Sequence, residues 1–578
     1  MKYQMPIFVL LFSVLIWPQN VNFTIQPKPY QFFARDALDS ALVTVAGSVP
    51  SAGYDSISAT VLKNGVFWKR AAIELPYDNG SAPFTISIKL HAELSEYRVS
   101  IALDSTVIVI SDSVVCGDAF LAEGQSNTIT RASWDYKSQW IRSYGTGATD
   151  GPTCAADSQW GLAQAGTQNS HCAIGVWAMQ MSKSIVDTYH VPVFFLNGGV
   201  GGTAIVSHLR NNANKGDLTT IYGRFYSRII KSGLSGHVKA LFWYQGESHT
   251  TPTCYNYTSD WGNLRTCWKE DFPGLNAFYV VQLHHSTFSS CAGPRQDFIR
   301  EAQRALPSHY PDVKVISTMG LSGNDGCHYN VTGYQELGVN IFRIVARDYY
   351  NSTDTIAITP PGIQQIYYLN TERTEIALVF DQPVVWPDDS GGLSLRNYFY
   401  FDTIRTGVED TGKSDMVDSG KTGGENSILL YLKAPSSARM LTYLPNFTIG
   451  AVYKGPYIKN VCNIGALTFM NFPIDSAPST YVSRRNEWQE TSPDISIFPD
   501  PSNPSAVVML HGNRYSPETP ADIRIYSADG TLCKAFKAEV LQLLSGCTID
   551  GKNLHSGVYF LHCQIGEKLL VRKMVLAK

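Results

Sequence analysis

From residue 113 to about 350, short apolar runs of strand type alternate with amphipathic runs of helical period. A parallel sheet demands this alternation, because parallel neighbours need a long return connection and helices must cover the sheet's faces. The pattern predicts helix 175–186 before strand 191–196, helix 218–232 before strand 238–244, and a strand at 277–283. Helix 294–306 then precedes strand 313–318, and helix 331–349 closes the unit. One more short buried strand, 119–123, leads into Gly124-Gln125-Ser126-Asn127. The carboxyl ends of such strands converge on one edge, where open α/β sheets hold their ligands.

Four polar segments fall at that edge. The first is Gly124-Gln125-Ser126-Asn127, where a serine can present its hydroxyl, or where Ser and Asn simply cap a helix. The second is Asn197-Gly-Gly-Val-Gly-Gly-Thr203, whose glycines let backbone N–H groups approach a ligand. It is not a GxGxxG at a helix start, which argues against a dinucleotide site. The third is Gln245-Gly246-Glu247-Ser248-His249. Gln245 can donate an amide N–H to an oxyanion. Glu247 is a carboxylate expected to be buried, either catalytic or holding loop N–H groups, since buried carboxylates need partners. The fourth is Asn324-Asp325-Gly-Cys-His328. Three residues apart in a turn, Asp325 orients the His328 imidazole or lies beside it.

Together these segments form a nucleophile–base–oxyanion set for ester hydrolysis. Ser126 attacks, His328 carries the proton, and Asp325 fixes the tautomer. The Ser126 N–H, an N–H at Gly201 or Gly202, and the Gln245 amide receive the oxyanion. No cofactor and no metal is needed, and no Cys/His spacing suits a structural zinc.

At 578 residues the chain exceeds one core. Alternating runs separated by turn residues predict a β-sandwich over 25–112, either carbohydrate-binding or supporting the next domain, and another sandwich over 355–475. A polar linker spans 476–492, and a last β unit spans 493–578. Lys2 followed by the apolar run Met5–Trp17 reads as a signal peptide within residues 1–20, too short to cross a bilayer. Export permits disulfides, and Cys154/Cys172, Cys254/Cys267, and Cys533 with Cys547 or Cys563 are candidate pairs. Net charge of -3, with 16% charged residues, gives no footprint for nucleic acid, and no later run is long enough for an integral membrane segment.

The set Gly-Gln-Ser-Asn, Gly-Gly-Thr, Trp-Tyr-Gln-Gly-Glu and Asp-x-x-His resembles the sialate O-acetylesterase group of SGNH hydrolases, carbohydrate acetyl esterases. Phe298-Ile-Arg-Glu-Ala-Gln303 is similar to a helix of that group. The resemblance implies a flavodoxin-like parallel sheet with helices on both faces, flanked by β-sandwich domains. It also implies Ser126 as nucleophile, Asp325 and His328 as the acid–base pair, and Gly202 and Gln245 at the oxyanion site. Gln125, Asn127, Gly201 and Glu247 line the same site. Thr128, Val200 and His249 depart from the group's usual Met, Trp and Asn or Asp, and are expected to shape the sugar pocket. At the C-terminus, Ile497-Phe-Pro-Asp-Pro-Ser502, Ile525-Tyr-Ser-Ala-Asp-Gly530, Ser556-Gly-Val-Tyr-Phe-Leu561 and Lys573-Met-Val-Leu576 resemble type IX secretion sorting domains. These imply a small sandwich read by that secretion machinery and a secreted or surface location. The implied substrate is an acetylated sugar or glycan. The alternatives are a carbohydrate-binding surface protein on a degenerate esterase core, and a lipase-like esterase of the same superfamily.

Overall fold

The computed structural model describes residues 21–50, 53–166, 169–249, 253–285, 296–402, 414–424, 426–444, 453–476, 494–498, 505–511, 519–545, 547–566 and 568–576. The signal-peptide segment and all of the linker but residue 476 lie outside these. Two units are distinguished, Met1–Ala477 and Pro478–Lys578.

The central sheet is built on β1 (Thr106–Gly124), β2 (Ile141–Tyr144), β3 (Trp160–Leu162), β4 (Val193–Asn197), β5 (Val238–Tyr244), β6 (Ala277–Gln282) and β7 (Val313–Ser317). Its order is β3-β2-β4-β1-β5-β6-β7, and every pairing from β2 to β7 is parallel. β4 and β6 are buried along their whole length and β5 at every residue but Lys239, as both-face coverage requires. The helices are α1 (Val176–Tyr189), α2 (Ile221–Ser232), α3 (Tyr257–Asp271), α4 (Gln296–His309) and α5 (Val331–Tyr350). α1 packs on α5 so closely that a Cβ at Gly338 would lie 2.5 Å from the Trp177 carbonyl oxygen.

The expected domain boundary at 112/113 is not a linker. β1 is one 19-residue strand. Its first half pairs antiparallel with Tyr97–Leu103 of the N-terminal sandwich, and its second half runs parallel between β4 and β5. What changes at the boundary is burial: 106–110 are largely exposed, whereas 114–124 are wholly buried. Asp118 lies in that buried half. Burial would raise its carboxyl, but the Arg35 fork (2.8 and 2.7 Å) and Lys239 (2.8 Å) hold it below its ordinary value.

The periodicity reading missed α3, β2 and β3. Gly262 and a high polar content mask α3, yet Tyr257, Trp261, Leu264 and Trp268 recur at helical spacing on its buried face. The described residues between Ile363 and Pro473 form a four-stranded and a three-stranded sheet around one core. This sandwich is locked to the α/β domain by Arg300, which donates to Thr468 Oγ1 (3.0 Å) and the Leu444 carbonyl (2.7 Å). The C-terminal unit is likewise two small sheets.

The disulfide expectations fail. Cys154, Cys172, Cys267, Cys533, Cys547 and Cys563 carry free thiols, whereas Cys327 is disulfide-bonded. Proximity in sequence is a poor guide to pairing, because the Cα and Cβ geometry decides it. Among the described residues, no helix is long and apolar enough to cross a membrane.

Candidate functional site

All four polar segments leave the carboxyl ends of parallel strands: 124–127 after β1, 197–203 after β4, 245–249 after β5, and 324–328 after β7. β1 ends in Gly124 with φ 144°, where a Cβ would lie 2.2 Å from the Tyr244 carbonyl oxygen. Only glycine lets the ends of β1 and β5 close in this way. The chain then makes a single helical turn, Ser126–Ile129. The residue in the cap position is Gln125, and it makes no side-chain cap bond, so neither Ser126 nor Asn127 serves as a helix cap.

Ser126 is 8% exposed, and its Oγ lies 2.9 Å from His328 Nε2. That is the contact a hydroxyl nucleophile and its general base require. The His328 loop is a tight turn. Asp325 Oδ1 accepts the backbone N–H of His328 (2.7 Å) and of Cys327 (2.9 Å), while the Asp325 N–H donates to the His328 carbonyl (3.0 Å). The carboxylate thus both fixes the loop and places negative charge beside the imidazole.

Asn127 ties the two halves together. Its Nδ2 donates to Glu247 Oε1 (2.6 Å) and to the Cys327 carbonyl (2.9 Å), and its Oδ1 accepts the Tyr334 hydroxyl (2.6 Å). Burial pushes the Glu247 carboxyl up to about 7, against the Asn127 bond that lowers it. Gln125 does the same for the next loop. Its Oε1 accepts the N–H groups of Gly246 and Ser248 (3.2 Å each), and its Nε2 donates to Ser248 Oγ (3.2 Å). Gln125, Asn127 and Glu247 are thus buried and brace the serine turn through these hydrogen bonds.

The glycine loop is anchored at Asn197, whose Nδ2 donates to the Thr128 and Ile174 carbonyls (2.9 Å each). The Val200 N–H donates to the Gly124 carbonyl (2.9 Å), which sets Gly201 and Gly202 beside the serine turn with both residues exposed. Gln245 Nε2 donates to the Thr203 carbonyl (3.0 Å) and lies 3.3 Å from Gln125 Oε1, so the amide clamps the glycine loop to the serine turn.

Two further residues in this network escaped the sequence reading. Glu123 and His208 are fully buried, with Glu123 Oε1 2.8 Å from His208 Nδ1, and His208 Nε2 is 2.7 Å from Thr203 Oγ1. The signal available was a carboxylate inside an apolar strand, which needs a buried partner. Thr128 and His249 lie in the same network. Both are buried, and Thr128 Oγ1 donates to the Tyr244 carbonyl (2.7 Å) because the close approach at Gly124 brings that oxygen within reach. Among the described residues, no group of three His, Cys, Asp or Glu side chains could hold a metal.

Burial lowers the His328 imidazole below its ordinary 6.5; Asp325 opposes this and the exposed Arg131 adds to it. The acid limb of kcat/KM for an ester is accordingly expected to have its midpoint below 6.5. Arg131→Gln removes a positive charge that disfavours the imidazolium, so it should move that limb to higher pH. A profile that stays put or moves down would contradict this electrostatic account.

Residues 116–347 match the family model for carbohydrate esterase, sialic acid-specific acetylesterase, and residues 496–577 match that for the secretion system C-terminal sorting domain. Among solved structures, a carbohydrate acetylesterase from Xanthomonas citri is 14% identical, with 78% of this chain and 99% of that one covered at a TM-score of 0.50. An Arabidopsis thaliana protein is 20% identical over 40% of this chain and 99% of that one, with a TM-score of 0.33. An acetyl xylan esterase from the rumen bacterium Butyrivibrio proteoclasticus is 9% identical over 57% of this chain and 97% of that one, with a TM-score of 0.25. No curated protein matches the chain. The α/β segment, residues 116–347, is thus similar to the carbohydrate esterase family of sialic acid-specific acetylesterases, and residues 496–577 are similar to C-terminal secretion sorting domains.

Proposed function

We propose that the protein is a secreted carbohydrate O-acetylesterase that cleaves acetyl esters of sialic acid or another acetylated sugar through a Ser126 acyl-enzyme. The observation that carries this reading is the 2.9 Å contact between Ser126 Oγ and His328 Nε2 inside the segment that matches the esterase family. Ser126 Oγ attacks the ester carbonyl while His328 Nε2 takes its proton. The tetrahedral intermediate collapses, and His328 returns the proton to the leaving sugar hydroxyl. A water deprotonated by His328 then releases acetate and restores Ser126. Asp325 stabilises the imidazolium by its charge and by the backbone bonds that hold the loop.

The oxyanion falls to the N–H of Ser126 and the N–H of Gly201 or Gly202, each donor worth about 3 kcal/mol. Gln245 supports them by clamping the glycine loop, a smaller role than direct donation.

The fold reading is consistent with this chemistry. Counting only β1, β4, β5, β6 and β7 in chain order, the sheet runs 2-1-3-4-5, the flavodoxin-like order. Right-handed crossovers put α1 on one face and α2, α3 and α4 on the other. The packing of α1 on α5 and of α3 on α4 supports that arrangement, which is that of an SGNH hydrolase. The sorting domain points to export across a Gram-negative outer membrane by type IX machinery.

The test is acetate release from acetylated sialic acids, acetylated xylan and acetylated pectin, alongside matched aryl acetate and butyrate esters. The acetate is expected to turn over faster than the butyrate, with release from at least one sugar. A preference for butyrate or longer chains, with no sugar deacetylated, would replace this reading with a lipase-like one.

A further inference from the structure

The open flank of the N-terminal sandwich holds a second cleft. Strand Val66–Glu74 pairs only with Ser56–Lys63, and strand Ala82–His91 only with Ser40–Val49, so each is an edge strand among the described residues. Between them lies a cleft of about 470 Å3 whose walls include Phe67, Trp68, Lys69, Arg70, Ser87 and Lys89.

Phe67 is 64% exposed, on a strand that has no fully buried residue. Trp68 is half-buried, its ring 5.3 Å from Tyr97 and 5.7 Å from His91, which hold it in place. Lys69 Nζ stands 4.0 Å from the centre of the Trp68 ring and reaches across to the Lys89 carbonyl at 3.4 Å. Arg70 Nη2 donates to Ser58 Oγ at 3.3 Å. None of the three cations has a carboxylate within ion-pair distance among the described residues; the nearby Glu93 is taken by Lys63 at 2.7 Å. Asp36 feels the Lys89 charge but is held in its own turn by Ser40 and the Leu38 N–H.

Three cations without a carboxylate partner, lining one cleft with Phe67 and Trp68, are not the background of a basic protein, because the whole chain carries -3. They repel one another unless an anion lies between them. Aromatic rings accept the C–H face of a pyranose, and ammonium and guanidinium groups pair with carboxylates. The edge strands add backbone N–H and C=O groups that no neighbouring strand uses, suited to sugar hydroxyls. From Phe67 to Ala71 the strand runs roughly 13 Å, the length of a short oligosaccharide rather than of one sugar.

We propose that this cleft binds an anionic polysaccharide of uronate type and retains the enzyme on acetylated chains of that class. Binding here is separate from hydrolysis, so the test uses the full chain carrying Ser126→Ala, with polygalacturonate as the probe and neutral xylan as the control, in affinity electrophoresis. Polygalacturonate is expected to retard the protein, less so as salt rises, and xylan is expected not to. Phe67→Ala and Lys69→Gln, both at exposed positions that folding does not need, should each weaken retardation by about tenfold. On the Ser126 background the same substitutions should leave aryl acetate turnover unchanged. Equal retardation by xylan, undiminished binding in both variants, or equally tight binding to duplex DNA at matched charge would each overturn the proposal, the last by revealing an indiscriminate cationic patch.

Discussion

Replacing Ser126 with alanine is expected to lower hydrolysis of an aryl acetate by about 10⁴-fold or more, with folding retained. Ser126 Oγ faces His328 Nε2 at 2.9 Å, and the turn that presents it is braced by Gln125, Asn127 and Thr128 rather than by the serine hydroxyl. Loss of that hydroxyl therefore costs the fold about 1 kcal/mol, the usual net worth of one hydrogen bond. Circular dichroism and a melting curve close to the parent's would separate lost chemistry from lost structure. Turnover within tenfold of the parent would reject Ser126 as the nucleophile.

Asn127→Ala should be the most damaging substitution outside the proposed triad, and for a different reason. It removes three bonds at once and leaves the Glu247 carboxyl and the Tyr334 hydroxyl buried without that partner. A buried polar group stripped of its partner costs about 1–3 kcal/mol, so a loss of roughly 3 kcal/mol or more is expected. The Cys327 carbonyl also loses its anchor, and His328 is the next residue. Displacing a general base by an ångström or so costs on the order of 10²-fold, so kcat should fall with little change in KM. Glu247→Gln is the gentler companion: it keeps an oxygen to accept from Asn127, and both stability and kcat should stay nearer the parent's. Unchanged melting and unchanged kcat in Asn127→Ala would refute the bracing role.

The helical and strand runs of the α/β domain were legible because each is a local pattern. Strand Val238–Tyr244 and helix Val331–Tyr350 are readable from period and punctuation alone. Helix Tyr257–Asp271 was not legible, since its apolar face is Tyr257, Trp261, Leu264 and Trp268 amid polar residues and a glycine. That glycine is explained only by tertiary packing: a Cβ there would lie 2.2 Å from the Tyr310 hydroxyl. The continuous strand Thr106–Gly124 escaped because turn and burial signals mark where a strand's surroundings change, not whether the backbone breaks.

By itself, the sequence determined which strand ends carry polar turns, and hence that Ser126, Gly201, Gly202, Gln245 and His328 share one edge. Parallel topology guarantees that much, because every strand points the same way. Only the tertiary structure decided which side chains at that edge meet one another. Ser126 and His328 meet although 202 residues separate them, whereas Gln125, Asn127 and Glu247 turn inward to one another. Buried polar atoms must find partners, and which partners lie within 3 Å depends on strand order and loop closure, neither of which is a local property of the chain.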